Sequence, residues 1–202
     1  DINHRVIGFG GRVMGDGKPK YLNSPETKIF DKSRNLYGLH LARSSRRKNL
    51  IICEGYMDVI SLHKAGIENA IASLGTALTA EQARIIARYA KEVVICYDSD
   101  EAGQKAAQRA IPILRGAGLL VRVMAVPGNK DPDEFIKKYG RERFEMLLNG
   151  TANPTEFQLK KAKSKYDLRS DQGRIDYTAE ISQVLAELDN AVEREGYANR
   201  AA

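Results

Sequence analysis

The sequence has no tryptophan, and only two cysteines and three histidines in 202 residues. Two cysteines cannot frame a disulfide-held domain. Cys53 and Cys96 both sit in apolar runs, which reads as buried thiols rather than a bridge or a metal pair. No third or fourth soft ligand is near them and no His-x-x-x-His pattern occurs, so no zinc site is expected. No apolar run reaches about eighteen residues, which excludes a transmembrane helix, and no signal-peptide pattern opens the chain. No membrane partner is expected, and the cytoplasm is the default compartment. The chain starts at Asp1 without Met and its first residues look like the inside of a domain, so it is expected to be a fragment of a larger protein.

Acidic residues are scarce at the amino end. Residues 1–50 hold eleven Lys/Arg against four Asp/Glu, while the remaining residues hold 21 against 22. The net charge of +6 therefore belongs to the amino-terminal quarter. A basic segment beside an acidic site suits a polyanion guided past divalent ions; the plainer alternative is a solvated face. With 43% hydrophobic and 29% charged residues the chain is globular rather than disordered.

The organising stretch is Lys91 to Gly103. Val93 to Tyr97 is apolar and rich in β-branched residues, then gives way to Asp98-Ser99-Asp100. Leu50 to Cys53 runs likewise into Glu54-Gly55-Tyr56-Met57-Asp58, and Val121 to Val126 runs towards Lys130-Asp131-Pro132-Asp133. Three strands ending in carboxylates predict one acidic site above the strand ends of an α/β sheet, where ligands gather in such folds.

Strands are expected over Arg5–Phe9, Gly11–Met14, 18–23, 50–53, 70–72, 93–97 and 121–126, with Gly15-Asp16-Gly17 as a turn. Helices are expected from Met57 to Ala65, after a Thr79–Gln82 capping box, and from Glu101 to Leu114. Ile85, Ile86 and Tyr89 face inward on the second of these, and Ala106, Ala110, Ile113 and Leu114 on the third. Two short helices follow, stopped by Gly140 and Asn149-Gly150. After Pro154 the strands cease. Residues 155–168 and 173–192 read as long helices, the second with Ile175, Val184, Leu185 and Leu188 as its apolar stripe, and 196–202 as a frayed end. The expected architecture is α/β: a mostly parallel sheet flanked by helices over 49–150, a partial basic mixed α+β lobe over 1–48, and a helical appendage over 151–202.

Glu54, Asp98 and Asp100 are hard oxygen ligands of the kind Mg²⁺ or Mn²⁺ prefers, and on adjacent strand ends they would repel without a cation between them. Asp131 and Asp133 repeat the spacing of Asp98 and Asp100, and Asp58 is a further metal candidate. Such ions hold triphosphate oxygens and lower the pKa of an attacking hydroxyl, so the pattern points to phosphoryl or nucleotidyl transfer with Glu54, Asp98 and Asp100 as the catalytic acids. Glu54 or Asp58 could instead simply cap the helix after its strand, and Asp133 the helix begun by Glu134. Gly8-Phe9-Gly10-Gly11 is not a dinucleotide loop, because strand and turn rather than helix follow it. Ala102 and Arg109 break a calcium-loop reading of 98–109.

Glu54-Gly55-Tyr56-Met57-Asp58 with Asp98-Ser99-Asp100-Glu101-Ala102-Gly103 resembles the Toprim fold of topoisomerases, primases and some nucleases. The wider set resembles the bacterial replicative DNA primase family: Val6 to Val13, Lys20 to Thr27, Leu36-Tyr37-Gly38-Leu39, Ala72 to Thr76 and Lys130 to Asp133. The resemblance implies synthesis of short RNA primers on single-stranded DNA from ribonucleoside triphosphates, with Mg²⁺ or Mn²⁺ and release of pyrophosphate. It implies that Glu54 is the general base or principal metal ligand, with Asp58, Asp98, Asp100, Asp131 and Asp133 around the metal. It implies that Arg12, Lys20, Tyr21, Asn23 and Lys32 contact nucleotide phosphates or the template; Tyr21 reads equally well as a packed strand residue. The partners implied are the template, the nucleotides, the RNA–DNA primer duplex and, through a carboxyl-terminal module expected to be missing here, the replicative helicase. A Toprim nuclease or topoisomerase fragment, or a non-catalytic metal- or nucleotide-binding module, is the competing reading.

Overall fold

The computed structural model describes every residue except Met14, Asp16, Asn129, Lys130, Ala152 and Asp189. The ends of the expected 11–14 strand and the 15–17 turn, and Lys130 of the third acidic motif, thus lie in part outside the described residues. Two compact units are present, Asp1–Thr151 and Ala152–Ala202.

The first unit opens with a two-stranded antiparallel ribbon, β1 (Gly10–Arg12) and β2 (Tyr21–Asn23), in which Gly10 pairs with Asn23 and Arg12 with Tyr21. Residues 5–9, expected as a strand, are not one. β-Branched residues and alternation are present, but the ribbon pairs only three residues on each side, and an unpaired strand has no ladder to hold it. A short helix α1 (Leu39–Ala42) follows.

The sheet then builds as β3 (Asn49–Cys53), α2 (Tyr56–Lys64), β4 (Ala70–Ala72), α3 (Ala80–Ala87), β5 (Glu92–Ile95), α4 (Glu101–Gly116), β6 (Leu120–Val123) and α5 (Pro132–Asn149). All four strands are parallel, in the order β4-β3-β5-β6. The central strands are buried on both faces, as helices on either side of a parallel sheet require. On one face Ile51, Cys53, Val94 and Cys96 pack with Val59 and Leu62 of α2 and Phe135, Phe144 and Leu148 of α5. Cys53 and Cys96 are free and fully buried, as the composition suggested.

The outer edge of β4 is met by the amino-terminal lobe. Tyr37 N–H donates to the Ala72 carbonyl at 2.8 Å, and Ala72 N–H donates back to Tyr37 at 3.1 Å. Thr79 caps α3 through the Gln82 N–H at 3.1 Å, and the Gln82 side chain returns to the Thr79 N–H at 3.0 Å, the box the sequence predicts. The inward face of α3 differs from expectation: Gln82, Ala83 and Ile86 are buried, and Tyr89 is exposed. In α4 the buried residues are Gly103, Ala107, Ala110, Ile111 and Leu114, a rotation of the expected stripe that leaves Ala106 and Ile113 at its margin. Gly140, at φ 76°, breaks α5 into the two short helices the sequence predicts.

The second unit has three helices, α6 (Pro154–Lys165), α7 (Asp171–Ala186) and α8 (Ala191–Ala201). Leu159, Ala162, Tyr177, Ile181, Leu188 and Tyr197 form its core. Ile175, expected inward, is exposed. The expected helix over 173–192 ends early, and Asn190 caps a new one by accepting from the N–H groups of Val192 and Glu193. Residues 196–201 do not fray, because Tyr197 is buried and bonded to the Asn153 side chain while the Tyr177 hydroxyl holds the Ala201 carbonyl at 3.2 Å.

Candidate active site

Parallel pairing brings the carboxyl ends of β3, β5 and β6 to one edge, and the acids follow. Glu54 stands directly after β3. Its Oε1 accepts the Asp98 N–H at 3.2 Å, so it faces the end of the neighbouring strand. Burial, then the charges of Asp98 and Asp100, push its pKa up to about 7. Burial, then Asp131 and Asp100, raise Asp98 as well, while Lys20 pulls it down. The Oδ1 atom of Asp98 is buried with no hydrogen-bond partner. Asp58, one turn into α2, is only 7% exposed. Its Oδ2 accepts the Gly55 N–H and its Oδ1 the Asp133 N–H, both at 3.2 Å. Burial first, then Asp98 and Asp131, raise it to about 7 despite those bonds. Glu54, Asp58, Asp98, Asp100 and Asp131 are thus close enough to act on one another's charge.

The other carboxylates are more committed. One oxygen of Asp100 caps α4 through the Gly103 N–H at 2.8 Å, and one oxygen of Asp131 caps α5 through the Glu134 N–H at 2.6 Å. Burial would raise Asp133, but hydrogen bonds from Lys137 and the Ser61 hydroxyl, with the charges of Lys137 and Arg12, outweigh it and lower the pKa. Among the described residues, no three His, Cys, Asp or Glu side chains already stand where they could hold a metal ion. The donor set nonetheless suits a hard cation: carboxylates pushed towards protonation by burial and mutual repulsion, one with an orphaned buried oxygen.

Gly103 fixes how close α4 comes to this edge. A Cβ there would lie 2.2 Å from the Asp98 carbonyl oxygen and 2.6 Å from Glu54 Oε1. Only the lack of a side chain lets the first turn of the helix sit against both acids.

The basic residues come from the ribbon. Arg12 and Lys20 are exposed, and their charges reach Asp133 and Asp98 respectively. Tyr21 is 40% exposed beneath the Arg12 guanidinium, which lies 5.8 Å from its ring centre, so it is not a core residue. Asn23 behaves differently. Its Oδ1 accepts the Tyr56 hydroxyl at 2.7 Å and its Nδ2 donates to the Leu74 carbonyl at 3.2 Å, so both ends of its amide bond the protein. Lys32 is tied by its backbone, the N–H to Glu26 Oε1 at 3.3 Å and the carbonyl to the Gln82 amide at 2.9 Å. A cavity of about 410 Å³ adjoins the ribbon, lined in part by Arg12, Tyr21, Tyr37 and Tyr56. Tyr56, Ser61 and Gln82 carry polar roles that sequence reasoning did not assign. Gln82 was visible as a cap, but nothing local signals that its amide also reaches Lys32 and Asn35.

A parallel sheet with this acidic edge defines a Toprim-like domain, and a family model described as Toprim-like matches residues 51–136. Two more models flank it. That of the DNA primase catalytic core, N-terminal domain, matches 1–43, and that of the DnaB-helicase binding domain of primase matches 155–202. The chain is 49% identical over 198 residues to a DNA primase of Clostridium acetobutylicum, covering 98% of this chain and 33% of that protein. It is 43% identical over 180 residues to the DNA primase of Escherichia coli, covering 86% and 31%. Among solved structures, the Aquifex aeolicus primase zinc-binding and RNA polymerase domains superpose with a TM-score of 0.78 at 39% identity, over 100% of this chain and 49% of that one. A DnaG primase catalytic domain bound to single-stranded DNA gives 0.77 at 37%, over 100% and 66%. The chain belongs to the bacterial DNA primase family. It spans about a third of the length of the curated relatives it matches. One expectation changes: the helical appendage, read as lacking the helicase-engaging module, matches the model of a helicase-binding domain.

Proposed function

We propose that the protein joins ribonucleoside triphosphates into short RNA primers on a single-stranded DNA template, releasing pyrophosphate. The observation that carries this reading is the meeting of opposite charges at one edge: the Lys20 and Arg12 cations of the ribbon act on Asp98 and Asp133 at the strand ends. Arginine and lysine there hold triphosphate and template phosphates, as phosphate contacts position a nucleic acid without reading its sequence. The 3′-hydroxyl oxygen bonds to the α-phosphorus, the bond to the bridging oxygen breaks, and pyrophosphate leaves. Glu54, which stands at the end of β3 facing Asp98, takes the hydroxyl proton. Glu54, Asp98 and Asp100, with Asp58, Asp131 and Asp133 beside them, are the residues that would hold Mg²⁺ or Mn²⁺. The chemistry such an ion supplies is charge neutralisation on the triphosphate and a lowered pKa for the attacking hydroxyl. The template and primer duplex are the partners of this unit, and residues 155–202 are the candidate contact for the replicative helicase in the cytoplasmic replisome.

Template-directed synthesis from labelled ribonucleotides tests the assignment. Glu54→Gln should lower primer yield by about a hundredfold or more, the range for loss of a general base, and Asp98→Asn with Asp100→Asn should abolish Mn²⁺ binding in a folded protein. DNA cleavage without synthesis would replace the polymerase reading with a nuclease one.

A further inference from the structure

Tyr56 is the third residue of the Glu54-Gly55-Tyr56 turn, yet its hydroxyl bonds to the ribbon. It donates to Asn23 Oδ1 at 2.7 Å, and Asn23 Nδ2 donates on to the Leu74 carbonyl at 3.2 Å. Asn23 ends β2 and is paired with Gly10 of β1. The ribbon is docked closely on both sides of this link. A Cβ on Gly10 would lie 2.8 Å from the Tyr56 ring, and one on Gly75, already at φ +73°, would lie 2.9 Å from Asn23 Nδ2. The Tyr56 ring itself is steadied by Tyr37, with ring centres 4.8 Å apart.

These contacts join two things that must keep a fixed distance. One is the turn carrying Glu54. The other is the ribbon carrying Arg12, Lys20 and Tyr21, whose cations act on Asp133 and Asp98. We propose that Tyr56 is a positioning residue: its hydroxyl, through Asn23, sets how the cationic ribbon stands over the carboxylates, and so governs binding of the triphosphate without touching it. Asn23 is then a strut rather than a direct phosphate ligand. This role rests on the primer-synthesis reading.

The test is Tyr56→Phe, which removes the hydroxyl and keeps the ring against Tyr37 and Gly10. In primer synthesis with ATP on an oligothymidylate template, the KM for ATP should rise about fivefold with kcat within twofold, and Mn²⁺ affinity measured without nucleotide should stay within twofold. Asn23→Ala should reproduce the effect, and the double variant should be no worse than either single one, because both break one link. An unchanged KM, a fall in Mn²⁺ affinity alongside it, or additive losses would overturn the proposal. If the wild-type protein makes no product, the primer-synthesis reading falls. The Mn²⁺–ATP dissociation constants of the same proteins then decide the positioning role: a fivefold weakening shared by all three variants supports it, and equal affinities refute it.

Discussion

Replacing Asp58 by Asn should flatten the loss of stability that the metal-free protein suffers between pH 5 and pH 8. Asp58 is buried, and in the fold its carboxyl gives up its proton only near 7, against 3.8 as its ordinary value. The folded state therefore binds more protons than the unfolded chain across that window. Stability contributed by this group is intact below the unfolded pKa, falls as pH rises, and levels off above the folded pKa. Roughly three factors of ten in the acid constant, at about 1.36 kcal/mol each, give about 4 kcal/mol in all. About 2–3 kcal/mol of that falls between pH 5 and pH 8 by the same relation. Asn does not titrate, so its share of the slope disappears. It can accept only one of the two N–H bonds that Gly55 and Asp133 now make to the carboxylate, which costs about 1–3 kcal/mol at every pH. About 1–2 kcal/mol is already lost by pH 5, so the variant should match wild type there to within about 1–2 kcal/mol and should exceed it at pH 8. Urea unfolding in EDTA, followed by far-ultraviolet circular dichroism at four pH values, reads both curves. Parallel curves would show that burial of this carboxyl is not what penalises its charge.

Gly103→Ala should destabilise the protein by about 1–3 kcal/mol, the usual cost of forcing atoms into a packed site, and should weaken Mn²⁺ binding. A gain in stability, which helix propensity alone favours by up to about 1 kcal/mol, would show that α4 can back away from Glu54 and Asp98 freely. Gln82→Leu should cost about 2–4 kcal/mol in urea unfolding, since the fully buried amide bonds the carbonyls of Lys32 and Asn35, both at 2.9 Å, and each loses its donor. A cost below about 1 kcal/mol would mean that water takes over both bonds.

The sheet and its acidic edge could be read in the sequence because each strand announces itself locally. Ile51–Cys53 and Val93–Cys96 are uninterrupted, fully buried apolar runs; the first stops at Glu54 and the second leads through Tyr97 to Asp98. The Thr79–Gln82 box is likewise a matter of spacing. What escaped the reading is non-local. Tyr56 and Asn23 are 33 residues apart, and Gln82 and Lys32 are 50 apart, so no window of sequence contains either contact. Tyr21 could not be placed inside or outside, because a two-stranded ribbon has no second layer to impose alternation. The extra helix at the carboxyl end was hidden because neither Pro nor Gly marks its start; Asn190 does so by capping alone. Asp100 and Asp131 also begin helices α4 and α5, a capping role that their place after apolar runs did not announce.

The paired bonds between Tyr37 and Ala72 give the lobe a second duty. β4 lies at the border of the sheet, and an uncovered border strand is a template on which a neighbouring chain can add itself. By lying along Ala72 the lobe acts as a cover strip as well as a bearer of cations. A Toprim-like piece beginning at Asn49 would bare that border as well as lose the carbonyls that hold Gln82, and should stick to copies of itself.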